Sequence, residues 1–172
     1  MKDKKIISVL LYKKEIIYDI NALTYKMAEA SMQEIDLRSK NAVQSDDTDT
    51  LDGSIIKRLI EHRDNHLKMK LTWCIADNND VIADNIPNEN NILCYKFEVP
   101  LAFKGSLVSV LASKMHEYIV HGSLSDWYRK CGLNYQFFES EAQELESDIT
   151  SILRQSHSRR PMQPFGPAEN YH

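Results

Sequence analysis

Glycine, proline and cysteine are all scarce in this chain, at five, five and three among 172 residues. So few turn-formers exclude a turn-rich sandwich or barrel and favour helices. No two glycines stand close enough to cradle a phosphate, and no Walker-type, G-x-G-x-x-G, G-x-S-x-G or kinase signature occurs. Cys74, Cys94 and Cys131 are isolated, which fits neither a zinc motif nor a disulfide framework and implies reduced thiols in a cytosolic product. Basic residues are not in excess: 21 Lys and Arg face 25 Asp and Glu, for a net charge of -4. That balance argues against a protein held on nucleic acid by phosphate contacts. Long apolar runs are missing too. Ile6 to Leu11 is too short to span a bilayer and no cleavage site follows, so a soluble product retained in the cell is expected.

What is present is periodic. Hydrophobic content of 42% and charged content of 27% are ordinary for a globular chain, and the length suits one domain with a real core. Leu93, Tyr95, Phe97 and Val99 alternate with Cys94, Lys96 and Glu98, the mark of a strand with one buried face. Pro100 limits further pairing, and Ser106 offers an N-cap to a long helix. In that helix Leu107, Leu111, Met115 and Ile119 recur at helical spacing, with the seam continuing through Leu124, Trp127 and Tyr128. Cys131-Gly132 ends it, with glycine where a left-handed residue is wanted.

Three further helices follow from the same reasoning. Ile16, Ile20, Leu23, Met27 and Ala30 form a stripe over about 15–32, with a start earlier than Lys13 and Lys14 suggest. A second helix over about 51–73 carries Ile56, Leu59, Ile60, Arg63, Leu67 and Leu71 on one face, and Lys57, Glu61, Asp64 and Lys68 on the other. The last, capped by Asn134, has a near-heptad seam of Phe138, Ala142, Leu145, Ile149 and Ile152. Its acidic first half and its basic end (Arg154, Arg159, Arg160) both suit the helix dipole. Residues 6–12 fit a strand or a helical turn equally. The polar stretch 35–50 and the Asp/Asn-rich stretch 77–91 read as loops, the second being the tip of a hairpin with arms at about 71–76 and 92–99.

The fold class is therefore mainly α: a four-helix bundle-like domain over 1–160, with a β-hairpin at about 72–99 inserted between helices 2 and 3. An extended arm, held out of helix by Pro161, Pro164 and Pro167, occupies 161–172. Such a hairpin is marginal alone and must lie on a helix or on a neighbouring subunit.

Catalytic chemistry is hard to find in the pattern. His62 and His66 are spaced i, i+4 as in a zincin, but Arg63, Asp64 and Asn65 lie between them where a catalytic Glu should be, and surface histidines are the better reading. His116 and His121 do not share a helix face, and His116 and Glu117 point toward solvent or a subunit contact. No enzyme, cofactor or metal site is expected.

Three groups of short strings carry a likeness. They are Ile17-Tyr18-Asp19-Ile20 with Thr24-Tyr25-Lys26; Met115-His116-Glu117-Tyr118-Ile119-Val120 with Asp126-Trp127-Tyr128; and Ser158-Arg159-Arg160-Pro161 with Pro164-Phe165. With the order of helices, they make the chain resemble ring-forming neck proteins, the head–tail connectors of tailed phages of Bacteroides, crAss-like phages included. The resemblance implies a structural virion protein, made in the host cytoplasm and built into the neck as a homo-oligomeric ring of about 12 copies. The ring would meet the portal protein and further neck or tail proteins, and double-stranded DNA would pass through it without specific binding. On that reading Tyr95, Phe97, Val99, Arg159, Arg160, Met162 and Phe165 belong to subunit or portal interfaces, and Asp46, Asp47 and Asp49, or else the Asp/Asn-rich stretch 77–91, line the channel. The competing expectation is a non-virion helical binding module, a regulator acting through the arm and the central helix. A metal-dependent enzyme using His62 and His66 ranks third.

Overall fold

The computed structural model describes residues 4–31, 51–76 and 91–158. Its elements run β1 (Lys4–Tyr12), α1 (Lys13–Ser31), α2 (Leu51–Lys70), β2 (Ile92–Pro100), α3 (Ser106–Lys130) and α4 (Gln136–Ser158). The described residues are mainly helical, with four helices among them, as the spacing of apolar residues implies. The hairpin between α2 and α3 is present in short form. Ile75 bridges Phe97 antiparallel, the Ala76 N–H donates to the Lys96 carbonyl at 2.9 Å, and the Glu98 N–H donates to the Cys74 carbonyl at 2.8 Å.

The other edge of β2 is taken by β1. The two strands pair antiparallel along their whole length, from Lys4 opposite Pro100 to Tyr12 opposite Ile92. This resolves residues 6–12 as strand. It also makes the sheet wider than a hairpin, because the first strand of the chain is recruited from far away in sequence. Helix α1 begins at Lys13, directly after the strand, so both lysines lie in its first turn and the start is not ahead of them as the dipole argument implies.

Helix α3 is the hub. Helices α1, α2 and α4 and strand β1 all pack on it. Leu111, Met115, Ile119 and Leu124 are fully buried along it, and Tyr118, Val120 and Tyr128 nearly so. Its end is a Schellman turn: Gly132 has φ 70, its N–H donates to the Arg129 carbonyl, and the Leu133 N–H donates to the Tyr128 carbonyl. Only glycine takes that conformation without strain. Its start departs from expectation. The cap position is Gly105, with no side-chain cap, and Ser106 is the first helical residue. Asn134 does cap α4, accepting from the Gln136 N–H at 3.1 Å.

One face of the sheet closes the core. Val9, Leu11, Leu93, Tyr95, Phe97 and Val99 point inward and join Ile16, Ile20, Leu67, Leu71, Phe138 and Ile149 in a single cluster. Each such aliphatic or aromatic side chain contributes about 1.5–3 kcal/mol when fully buried. Among the described residues, no helix is long and apolar enough to cross a membrane.

Candidate functional site

The sheet has a second face, and among the described residues its β1 side is exposed. In β1 the alternation that turns Ile7, Val9 and Leu11 inward turns Ile6, Ser8, Leu10 and Tyr12 outward. Ile6, Leu10 and Tyr12 are 44%, 40% and 48% exposed. The register sets Leu10 opposite Cys94 and Tyr12 opposite Ile92, so one end of this face is apolar. The other end is closed by charge, Lys4 Nζ lying 2.7 Å from Glu98 Oε2.

The outer edge of β1 is open as well: the sheet order is β1–β2, and nothing pairs with that edge among the described residues. From Ile6 to Tyr12 the strand carries no charge. Natural edge strands are ordinarily blunted by inward charges, proline or a bulge, and an unguarded one is a template for pairing with another chain. Chemically this edge offers a row of unpaired backbone donors and acceptors beside an apolar face.

A second constellation lies on the far side of the core, where α2 crosses α3. Arg63 falls in the apolar row of α2, so its side chain is carried inward and is only 9% exposed. It makes a bidentate pair with Asp126, Nε to Oδ2 at 2.8 Å and Nη2 to Oδ1 at 2.7 Å. Nη2 also reaches Glu139 on α4 at 3.3 Å. Ser125 donates to the same Glu139 oxygen at 2.6 Å, and Arg129 approaches it at 3.3 Å. Burial alone would lower the Arg63 pKa, but the Asp126 carboxylate and the Tyr118 hydroxyl together outweigh it and hold the guanidinium charged. The Ser125 hydrogen bond, with Arg63 and Arg129, holds the Glu139 carboxyl below its usual range. Opposite charges are neutralised pair by pair, so the cluster works as a lock between three helices.

Beside the lock, α2 and α4 are spanned by side chains across a cleft of about 380 Å³. His66 Nδ1 lies 2.7 Å from the Tyr118 hydroxyl, and Lys70 lies 3.2 Å from Glu146. Deeper in, the Tyr95 hydroxyl donates to Asp64, whose other oxygen pairs with Lys68 at 2.7 Å. Burial and the Asp64 carboxylate push the Tyr95 hydroxyl pKa well up, keeping it a donor. Asp64 is thus buried, contrary to its expected place on a solvent face, because Tyr95 reaches across to it from β2. Similarly, His116 is bonded at 2.7 Å to Asp19 of α1 and ties two helices together instead of facing solvent or a neighbour. His62 is exposed near Asp126, and His66 is partly exposed. Among the described residues no group of His, Cys, Asp or Glu is arranged to hold a metal ion.

Three of the residues expected at an interface are not available to one. Tyr95, Phe97 and Val99 are buried in their own subunit, with Phe97 and Val99 wholly covered. The expectation rests on a hairpin that is marginal alone and must lie on a helix or on a neighbouring subunit. In fact β1 widens the sheet and the helices roof it, so this row is part of the core and the exposed apolar side chains of the sheet are on the opposite face. Arg159, Arg160, Met162 and Phe165, the arm 161–172, and Asp46, Asp47 and Asp49 lie outside the described residues, as do the loops at 35–50 and 77–90. Ile6, Leu10 and Tyr12 were missed because the strand itself was undecided. The signal was present as an uncharged run flanked by lysines on both sides.

Compared with protein-family models, with curated proteins and with solved structures, the chain matches none.

Proposed function

We propose that this protein is a structural subunit that assembles with copies of itself, and that its setting is the one the sequence resemblance implies, a ring in the neck of a tailed phage between portal and tail. The observation that supports self-assembly is the open edge of β1, uncharged from Ile6 to Tyr12 and flanked by three exposed apolar side chains. A heterologous contact through one such edge, repeated around an axis, closes a ring. The net charge of -4 suits a channel through which DNA slides, since phosphate contacts are what would retain it. A lining by Asp46, Asp47 and Asp49 belongs to the same proposal. The alternative, a regulator docking through its central helix, has less support, because α1, α2 and α4 already cover that helix.

Negative-stain imaging and light scattering across a range of protein concentrations test the reading. The wild type should gain mass with concentration and show closed rings at the upper end. Leu10→Lys, on the exposed face, should remain monomeric, while its unfolding free energy, measured at a concentration where the wild type is monomeric too, stays within about 0.5 kcal/mol of the wild type. A wild-type protein that is strictly monomeric at every concentration overturns the proposal.

A further inference from the structure

We infer that in unassembled protein the β1 edge is covered by β1 of a second copy, paired antiparallel about a two-fold axis through Ser8, to make one four-stranded sheet. This rests on the reading of that edge as the assembly surface, and it names the occupant the edge takes before a ring forms.

The strand itself supplies the argument. Read from its centre, Ile6-Ile7-Ser8-Val9-Leu10 is symmetric in character, and only the flanks differ, with Lys4-Lys5 on one side and Leu11-Tyr12 on the other. Antiparallel pairing about Ser8 sets Ile6 against the second copy's Leu10, Ile7 against its Val9, and Ser8 against its Ser8. The outer face would then join two apolar rows into one, burying side chains now about half exposed. Charge selects the same arrangement. Lys4 and Lys5 meet Tyr12 and Leu11 of the second copy, so no lysine faces its own twin, and Lys4 can lie over an aromatic ring. Parallel in-register pairing would stack Lys4 on Lys4 and Lys5 on Lys5, which is unfavourable for directly opposed like charges.

The competing occupant within the chain is the proline-bearing segment 161–167. Prolines at 161, 164 and 167 alternate in parity, so whichever way the segment faced, at least one ladder donor would be missing. A strand of β1's own sequence has every donor. The contact is small, nine residues on each side, which places it among weak and dissociable interfaces. An isologous pair also closes on itself and leaves no edge to extend. The dimer therefore holds subunits back from growth until its edge is exchanged for the ring contact.

Cysteine cross-linking tests the register. In a Cys94→Ser, Cys131→Ser background, Ser8→Cys should form an intermolecular disulfide with oxidised glutathione at low protein concentration, since directly opposed strand residues lie within disulfide reach. Lys4→Cys should not, because its twin would be ~27 Å away along the sheet. The oxidised Ser8→Cys dimer should form no rings, and reduction should restore them. Cross-linking of both variants alike would indicate parallel pairing and overturn the inference. So would a protein that gains mass while Ser8→Cys fails to cross-link; that result would leave the assembly reading standing. Failure of the wild type to self-associate at all would remove the reading itself.

Discussion

Gly122 shows how a single residue fixes the helix crossing. A Cβ built there would stand 2.7 Å from Arg63 Cδ and 2.9 Å from Nε. A flexible side chain could normally step aside, but the Arg63 guanidinium is pinned by two hydrogen bonds to Asp126. Glycine inside a helix is less favourable than alanine by about 1 kcal/mol, so its place in the middle of α3 needs such a reason. Gly122→Ala should therefore lower stability by about 1–3 kcal/mol in denaturant melts. In an Arg63→Met, Asp126→Asn background the same change should be neutral or stabilising, and the double-mutant cycle measures the coupling. His121, six residues back from Trp127 on α3, supplies a pH effect. Its Nδ1 is buried without a hydrogen-bond partner and its ring meets Phe138 edge-on. Burial lowers its pKa, and the nearby charges of Glu117 and Glu141 offset this only in part. The unfolded chain therefore binds the proton more tightly than the native one, and stability falls as pH drops below about 6.5 toward the folded pKa. His121→Gln should flatten the fall in melting temperature between about pH 6.5 and 5 relative to wild type.

At the scale of elements, what could be read depended on whether the deciding contact was local. Strand β2 and helices α1, α3 and α4 were legible because their apolar spacing is set by their own periodicity, and Gly132 announced its turn through backbone chemistry alone. Residues 6–12 were not, since the doublets Ile6-Ile7 and Leu10-Leu11 satisfy a period of two and a period of 3.6 equally. Pairing with β2, at the other end of the first hundred residues, decides between them. The same gap explains why Tyr95, Phe97 and Val99 were expected at a contact: without β1, nothing along the chain shows that the sheet is wide enough to bury them. Arg63 stood in the apolar series of α2 and so was legible as a buried residue. Its partners Asp126 and Glu139 were not, because nothing along the chain says which carboxylates α3 and α4 will turn toward it. Helix α2 was read three residues too long, to 73, where the chain leaves the helix in a turn that sets Ile75 beside Phe97.

For the whole molecule, the question is whether the sheet and the helices are one body or two. Their core is continuous: Val9 and Leu11 of β1, Tyr95 and Phe97 of β2, and residues of all four helices belong to one buried cluster. Polar ties run across the same boundaries, from Tyr95 to Asp64 on α2 and from Lys5 to the Phe103 carbonyl just before α3. Nothing in this arrangement lets the sheet open without exposing the inner sides of the helices. Unfolding should therefore be a single transition, with far-UV circular dichroism and the fluorescence of Trp127 and Trp73 giving the same midpoint. Phe97→Ala empties the centre of the sheet side and should cost about 3–5 kcal/mol, shifting both signals together. If instead the fluorescence of Trp127 on α3 kept its midpoint while the rest of the melt moved, the helices would be stable without the sheet. The sheet would then be an appended element and not part of the core. Coincident shifts would mean that the β1 edge is carried by the same cooperative unit as the helices, so that anything binding β1 would stabilise the whole fold by mass action.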